Sequence, residues 1–148
     1  MEQMHLSMWK MGRKRLTNQL DEIQDTDLLK RIDSESNSVG WLLRHIAEVE
    51  LLFGKNVFGR ELDVKAQTIG SLAKDRGQFT ELKSLMELIE RAGNELKTAI
   101  DKVENWNEEV TTAEFGTVTK AEALARIMTH TAYHAGQVAL ARKYGKEY

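Results

Sequence analysis

The chain has 148 residues, 41% hydrophobic and 30% charged, which fits a single globular domain able to bury a real core. Its net charge of −2 offers no broad cationic face for nucleic acid, and the basic run from Lys10 to Arg15 is short enough to be a solvated helix face. Cysteine is absent, so disulfides, thiolate metal sites and a cysteine nucleophile are excluded, and thiol chemistry would have to import its sulfur on a substrate.

Proline is also absent, and apolar residues recur at spacings of three and four in four segments. The first predicted helix runs from about residue 3 to 23, with Leu6, Trp9, Leu16, Leu20 and Ile23 on one side. This N-terminal stretch lacks the continuous apolar core of a signal peptide, and no segment reaches the ~20 apolar residues of a membrane span. A cytoplasmic location with no membrane contact is the expectation. The polar stretch QDTDLLKRIDSESNS ends in three helix-capping candidates, Ser36, Asn37 and Ser38. A second helix follows to about Gly59, with Val39, Leu42, Ile46, Val49 and Phe53 as its stripe.

About 20 residues then separate helices two and three, from Arg60 to Thr80. A linker of that length reaches up to ~66 Å, twice the ~33 Å of a helix of ~22 residues, so it can run the whole bundle and start helix three parallel to helix two. The third helix is expected after Thr80 as cap, carrying Leu82, Leu85, Met86, Ile89, Leu96, Ile100 and Val103. The loop AEFGTVT has some β character but too little to predict a sheet. Thr119 and Glu122 have capping-box spacing at the start of helix four, which closes with Arg142, Lys143 and a C-terminal glycine, Gly145. The prediction is one all-α domain over residues 1–148, a four-helix bundle.

From Ile127 to Ala141 there is no formally charged side chain, yet two of the chain's four histidines, His130 and His134, stand there. Residues four apart on a helix lie ~5–6 Å apart at Cβ, so both rings can reach one point. His45 lies at the edge of the second helix's stripe, ~10 Å up that helix, at a height that matches His134 if helices two and four are antiparallel. Each buried imidazole left unpaired costs ~1–3 kcal/mol, and charging them together adds repulsion. A divalent metal bound by neutral nitrogens removes both problems and leaves a coordination position open. Imidazole suits zinc, nickel, copper and iron(II), so the metal is left open. Thr131 stands where a zincin protease would carry glutamate, which argues against that class.

NSVGWLLRHIAEVELL, followed about 85 residues later by HTAYHAGQVALAR, resembles the DinB-like superfamily of metal-dependent four-helix bundles. The C-terminal motif is similar to a branch of that superfamily whose function is unassigned. The resemblance covers nearly the whole chain in helix order and spacing. It implies an up-down-down-up bundle with a long crossover between helices two and three, and metal ligands at His45, His130 and His134. It also implies a zinc-, nickel- or iron-type cofactor, often used with a low-molecular-weight thiol such as bacillithiol, mycothiol or glutathione, and assembly as a homodimer.

Glu48 and Gln137 each stand one helical turn beyond a candidate ligand, where they could hydrogen-bond its ring or a bound water; a solvated Glu48 and an interface Gln137 are the plainer alternative. Tyr133 and Arg142 are candidates for a substrate anion or simply surface residues, Trp9 and Trp41 for a pocket or simply core, and His5 sits at a terminus where a ligand role is not expected. The leading functional expectation is a metal-dependent enzyme, a thiol-dependent S-transferase or a metal-water hydrolase, acting on small electrophiles. A non-catalytic metal-binding bundle and a dimeric interaction bundle with merely packed histidines are the alternatives.

Overall fold

The computed structural model describes residues 3–71 and 73–148, and in it side-chain hydrogen bonds cap the starts of the second and fourth α-helices. Helix α1 spans Met4–Leu20 and is followed by a short 3-10 turn, Asp25–Asp27. Helix α2, Val39–Asn56, starts because the Ser38 hydroxyl accepts the Trp41 N–H at 3.3 Å. Helix α3 is Leu82–Asp101, and its cap differs from expectation. Glu81, not Thr80, occupies the cap position, and its carboxylate accepts the Ser84 hydroxyl at 2.9 Å while the Leu82 N–H donates across to Asp25 at 3.4 Å. Helix α4, Lys120–Tyr144, opens on Thr119, which accepts the Glu122 N–H at 3.1 Å.

Gly145 ends α4, but with φ −80° and ψ 173° it makes no left-handed turn. Glycine is needed there for closeness: a Cβ would lie 2.3 Å from the Ala141 carbonyl oxygen and 2.7 Å from that of Arg31. Lys146 exchanges backbone hydrogen bonds with Arg31 at 2.9 and 3.0 Å, which ties the end of the chain to the segment before α2.

The expectation of a chain without a sheet is corrected by a small antiparallel hairpin, β1 Glu109–Thr112 and β2 Gly116–Thr119. Gly116, with φ +70°, closes its three-residue loop, the position that such hairpins give to glycine. Val110 pairs with Val118, which is buried against Val57 and Ala123, and Phe115 packs on the same cluster. That burial supplies what the short alternating sequence could not announce.

The helices meet along their apolar stripes. Helix α1 touches α4 at Gly12 and Met128 and at Gln19, which donates to the Ala135 carbonyl at 2.9 Å, and just beyond α1 Glu22 pairs with Arg142 at 3.0 Å. Gln3, just before α1, donates to the Ile100 carbonyl near the end of α3 at 2.9 Å. Between α2 and α3 the linker lies back along α2. Its Arg60 N–H donates to Gly54, Thr68 bonds Glu48, Ala73 accepts the Trp41 indole N–H at 2.8 Å, and Asp75 accepts the Ser38 N–H at 2.6 Å. Phe79 then passes so near Gly40 that a Cβ there would be 2.1 Å from its carbonyl oxygen. No helix among the described residues is long and apolar enough to cross a membrane.

Candidate metal centre

The apolar stripes of α2 and α4 bring His45, His130 and His134 together, with one nitrogen of each lying within 4.8 Å of the others. Ring centroids are 5.0 Å apart for His45 and His130, 4.8 Å for His45 and His134, and 4.4 Å for His130 and His134. The Nε2 atoms of His45 and His130 face each other at 3.1 Å. Nitrogens bound tetrahedrally to one ion at ~2.0–2.1 Å stand ~3.3 Å apart, so this spacing is already close to that of a shared ion.

The outward nitrogens decide which lone pairs point in. The Glu48 carboxylate only accepts, so the Thr68 hydroxyl donates to it at 2.7 Å. The Thr68 oxygen is then free to accept from His45 Nδ1–H at 3.2 Å, which leaves the His45 Nε2 lone pair facing His130. His134 Nδ1–H donates to Gln137 Oε1 at 2.6 Å, so the other nitrogen of that ring carries its lone pair as well. The His130 Nδ1 is buried with no partner among the described residues. Such an array suits a cation, because a positive charge between inward lone pairs replaces repulsion with coordination. The donor set therefore fits a divalent ion.

Burial shapes the protonation of all three rings. Desolvation first, then the nearby His134, pushes His45 down to about 4, with Glu48 pulling the other way. His130 goes to about 3 by burial and then by His134 and His45. Burial also lowers His134, opposed by its bond to Gln137. At neutral pH the rings are neutral and their lone pairs available.

Glu48, fully buried, does not touch a ligand ring. One oxygen accepts the backbone N–H groups of Gln67 and Thr68, each at 2.9 Å, as well as the Thr68 hydroxyl, and the other accepts from Arg44. Its hold on His45 passes through Thr68, which helical periodicity could not single out because it lies in an irregular linker. Gln137 meets its ring directly.

Trp41 is buried, and its indole stacks on His45 at 4.8 Å; Trp9 is core; His5 stacks on Trp106 at 4.1 Å, apart from the cluster. Arg142 is engaged with Glu22, while Tyr133 is exposed, with its ring centroid 5.2 Å from that of His134 in a T-shaped contact. Two clefts open beside the rings, one reaching His45 and one reaching His130, and Phe53 and Phe115 border both.

A family model described as the DinB superfamily matches residues 8–138, a span that contains all three histidines. The fold is also similar to a crystal structure of a conserved protein of a locus from Enterococcus faecalis, with a TM-score of 0.68 over 95% of this chain and 94% of that one. The two sequences are 14% identical, so the likeness speaks for the fold alone. No curated protein matches the chain.

Proposed function

The chain belongs to the DinB superfamily, and from that premise we propose that it is a metal-dependent enzyme transferring a thiol to small electrophiles, with His45, His130 and His134 as the ligands. The observation that carries this reading is the preset orientation of the rings, with Thr68 and Gln137 holding two outer nitrogens so that the inner lone pairs converge. A divalent ion held there supplies Lewis acidity and a coordination position for an incoming thiol or water.

The surrounding residues favour the thiol over water. A base that assisted a metal-bound water would need a free acceptor, and the nearest buried carboxylate, Glu48, already accepts hydrogen bonds from Arg44, Gln67 and Thr68. A thiol ionises far more readily and needs no such base. Trp41 stacks on His45, and Phe53 and Phe115 line the cleft that reaches it, so the apolar surroundings sharpen electrostatic contacts there. Hydrolysis of the same electrophiles is the second form of this reading.

The up-down-down-up order belongs to the same proposal. It is supported by α1 contacts that advance along α4 in step, Gly12 with Met128 and Gln19 with Ala135, and by a linker returning along α2 before α3 begins. We take the protein to work in the cytoplasm as a homodimer, without nucleic acid or membrane contact. The dimer has support in exposed Met4, Met8 and Met11 on α1 and Tyr133, Leu140 and Tyr144 on the neighbouring α4. A non-catalytic metal-binding or interaction bundle is the alternative.

The test is turnover of an electrophile panel (epoxides, activated alkyl halides and α,β-unsaturated acids) with small thiols and the zinc-, nickel- or iron-loaded protein. Activity lost on changing any one of the three histidines to alanine supports the enzyme. Full metal occupancy with no turnover under any metal would favour the non-catalytic bundle.

A further inference from the structure

The clefts beside the metal centre differ in size, lining and charge. The first, of about 220 Å³, lies between α2 and the hairpin and reaches His45. Val49, Leu52, Val57 and Ile69 line it, and Glu114 is the charged group at its edge. The second, of about 470 Å³, is more open and reaches His130. Arg126, Thr129 and Tyr133 line it. Phe53 and Phe115 border both clefts, with ring centroids 5.8 Å apart and planes inclined by 27°, so they form a two-ring wall between them. The wall is positioned from both sides: Phe115 packs on the Val57, Val118 and Ala123 cluster, and the Arg126 guanidinium lies 4.9 Å from its ring.

Charge sorts what each cleft can take. A carboxylate in the first would lose its hydration against apolar side chains and face Glu114. In the second it would meet Arg126, which has no ion-pair partner among the described residues. An uncharged apolar molecule gains most in the first. Resting on the reading of the three histidines as a metal centre, we propose that two small molecules are bound at once on opposite sides of the Phe53–Phe115 wall. The uncharged apolar electrophile occupies the His45 cleft, and a thiol bearing a carboxylate approaches from the His130 side, guided by Arg126. His45 then borders the path of one molecule and His130 the path of the other.

The experiment uses the zinc-loaded full chain, with zinc content measured on every sample. Binding of benzyl alcohol, mercaptoacetate and its neutral analogue 2-mercaptoethanol is followed by calorimetry and by NMR shifts of residues in each cleft. Mercaptoacetate is expected to bind about fivefold more tightly than 2-mercaptoethanol, and Arg126→Gln to remove that preference without moving benzyl alcohol. Ile69→Glu, at an exposed position, is expected to weaken benzyl alcohol about tenfold and leave mercaptoacetate unchanged. Saturating benzyl alcohol should leave mercaptoacetate binding in place. Competition between the probes, an unchanged preference in Arg126→Gln, or failure of either probe to bind would overturn the two subsites while the metal centre stands. Protein that takes up none of zinc, nickel and iron(II) would remove the metal centre, and the subsites with it.

Discussion

Thr68 stands between a buried carboxylate and a candidate ligand ring, and its hydroxyl fixes which nitrogen of His45 carries the proton. Thr68→Val keeps the shape and deletes that hydroxyl. It should lower zinc affinity about 10- to 100-fold, with Thr68→Ser restoring most of it, as read by chelator competition. Equal affinity in all three proteins would mean that the relay orients nothing. The lowered histidines also give stability a pH signature. Unfolded rings take up protons near 6.5, whereas folded His45 and His130 resist until about 4 and about 3. Stability of metal-free protein should therefore be level above pH 6.5 and fall as pH drops toward 4, with a shallower fall in a variant carrying asparagine at all three positions. Thermal melting across that range checks this, and identical slopes would count against burial of the rings. The three histidines were legible in the sequence because helical periodicity fixes which face a residue occupies. Thr68 was not, because nothing in a linker's sequence states which helix it will lie against.

At the scale of elements, α1, α2 and α3 are stapled through one ion pair. Arg13 binds the fully buried Glu50 through Nε at 3.0 Å and Nη2 at 3.1 Å, and also donates to the Ile89 carbonyl at 2.7 Å. Gly93 makes room for it, since a Cβ there would lie 2.7 Å from the guanidinium. Burial pushes the Glu50 carboxyl up while Arg13 pulls it down. Removing one partner strands the other, so Arg13→Met should cost about 3–5 kcal/mol in urea unfolding. Pairing it with Glu50→Leu should recover most of that loss. A single variant as stable as wild type would show that the pair holds nothing together. Helix placement could be read from the apolar stripes and from Ser38 and Thr119 as caps. The hairpin could not, because four-residue strands declare themselves only through the burial that Val118 and Phe115 find against α2 and α4.

At the scale of the whole molecule, Met8 and Met11 on α1 and Leu140 and Tyr144 on α4 are exposed apolar side chains, which the homodimer proposed above would shield in part. Light scattering should give twice the 16.9 kDa chain mass, and Met8→Glu with Leu140→Glu should give the monomer with its helix content intact. A monomeric wild type would contradict the dimer and leave the metal centre untouched. Elemental analysis of untagged protein, beside a variant with His45, His130 and His134 all changed to alanine, tests the metal centre itself. Close to one divalent ion per chain is expected in the wild type and none in the variant. Both proteins remaining metal-free after incubation with zinc, nickel and iron(II) would contradict it, and the three rings would then be packed core residues.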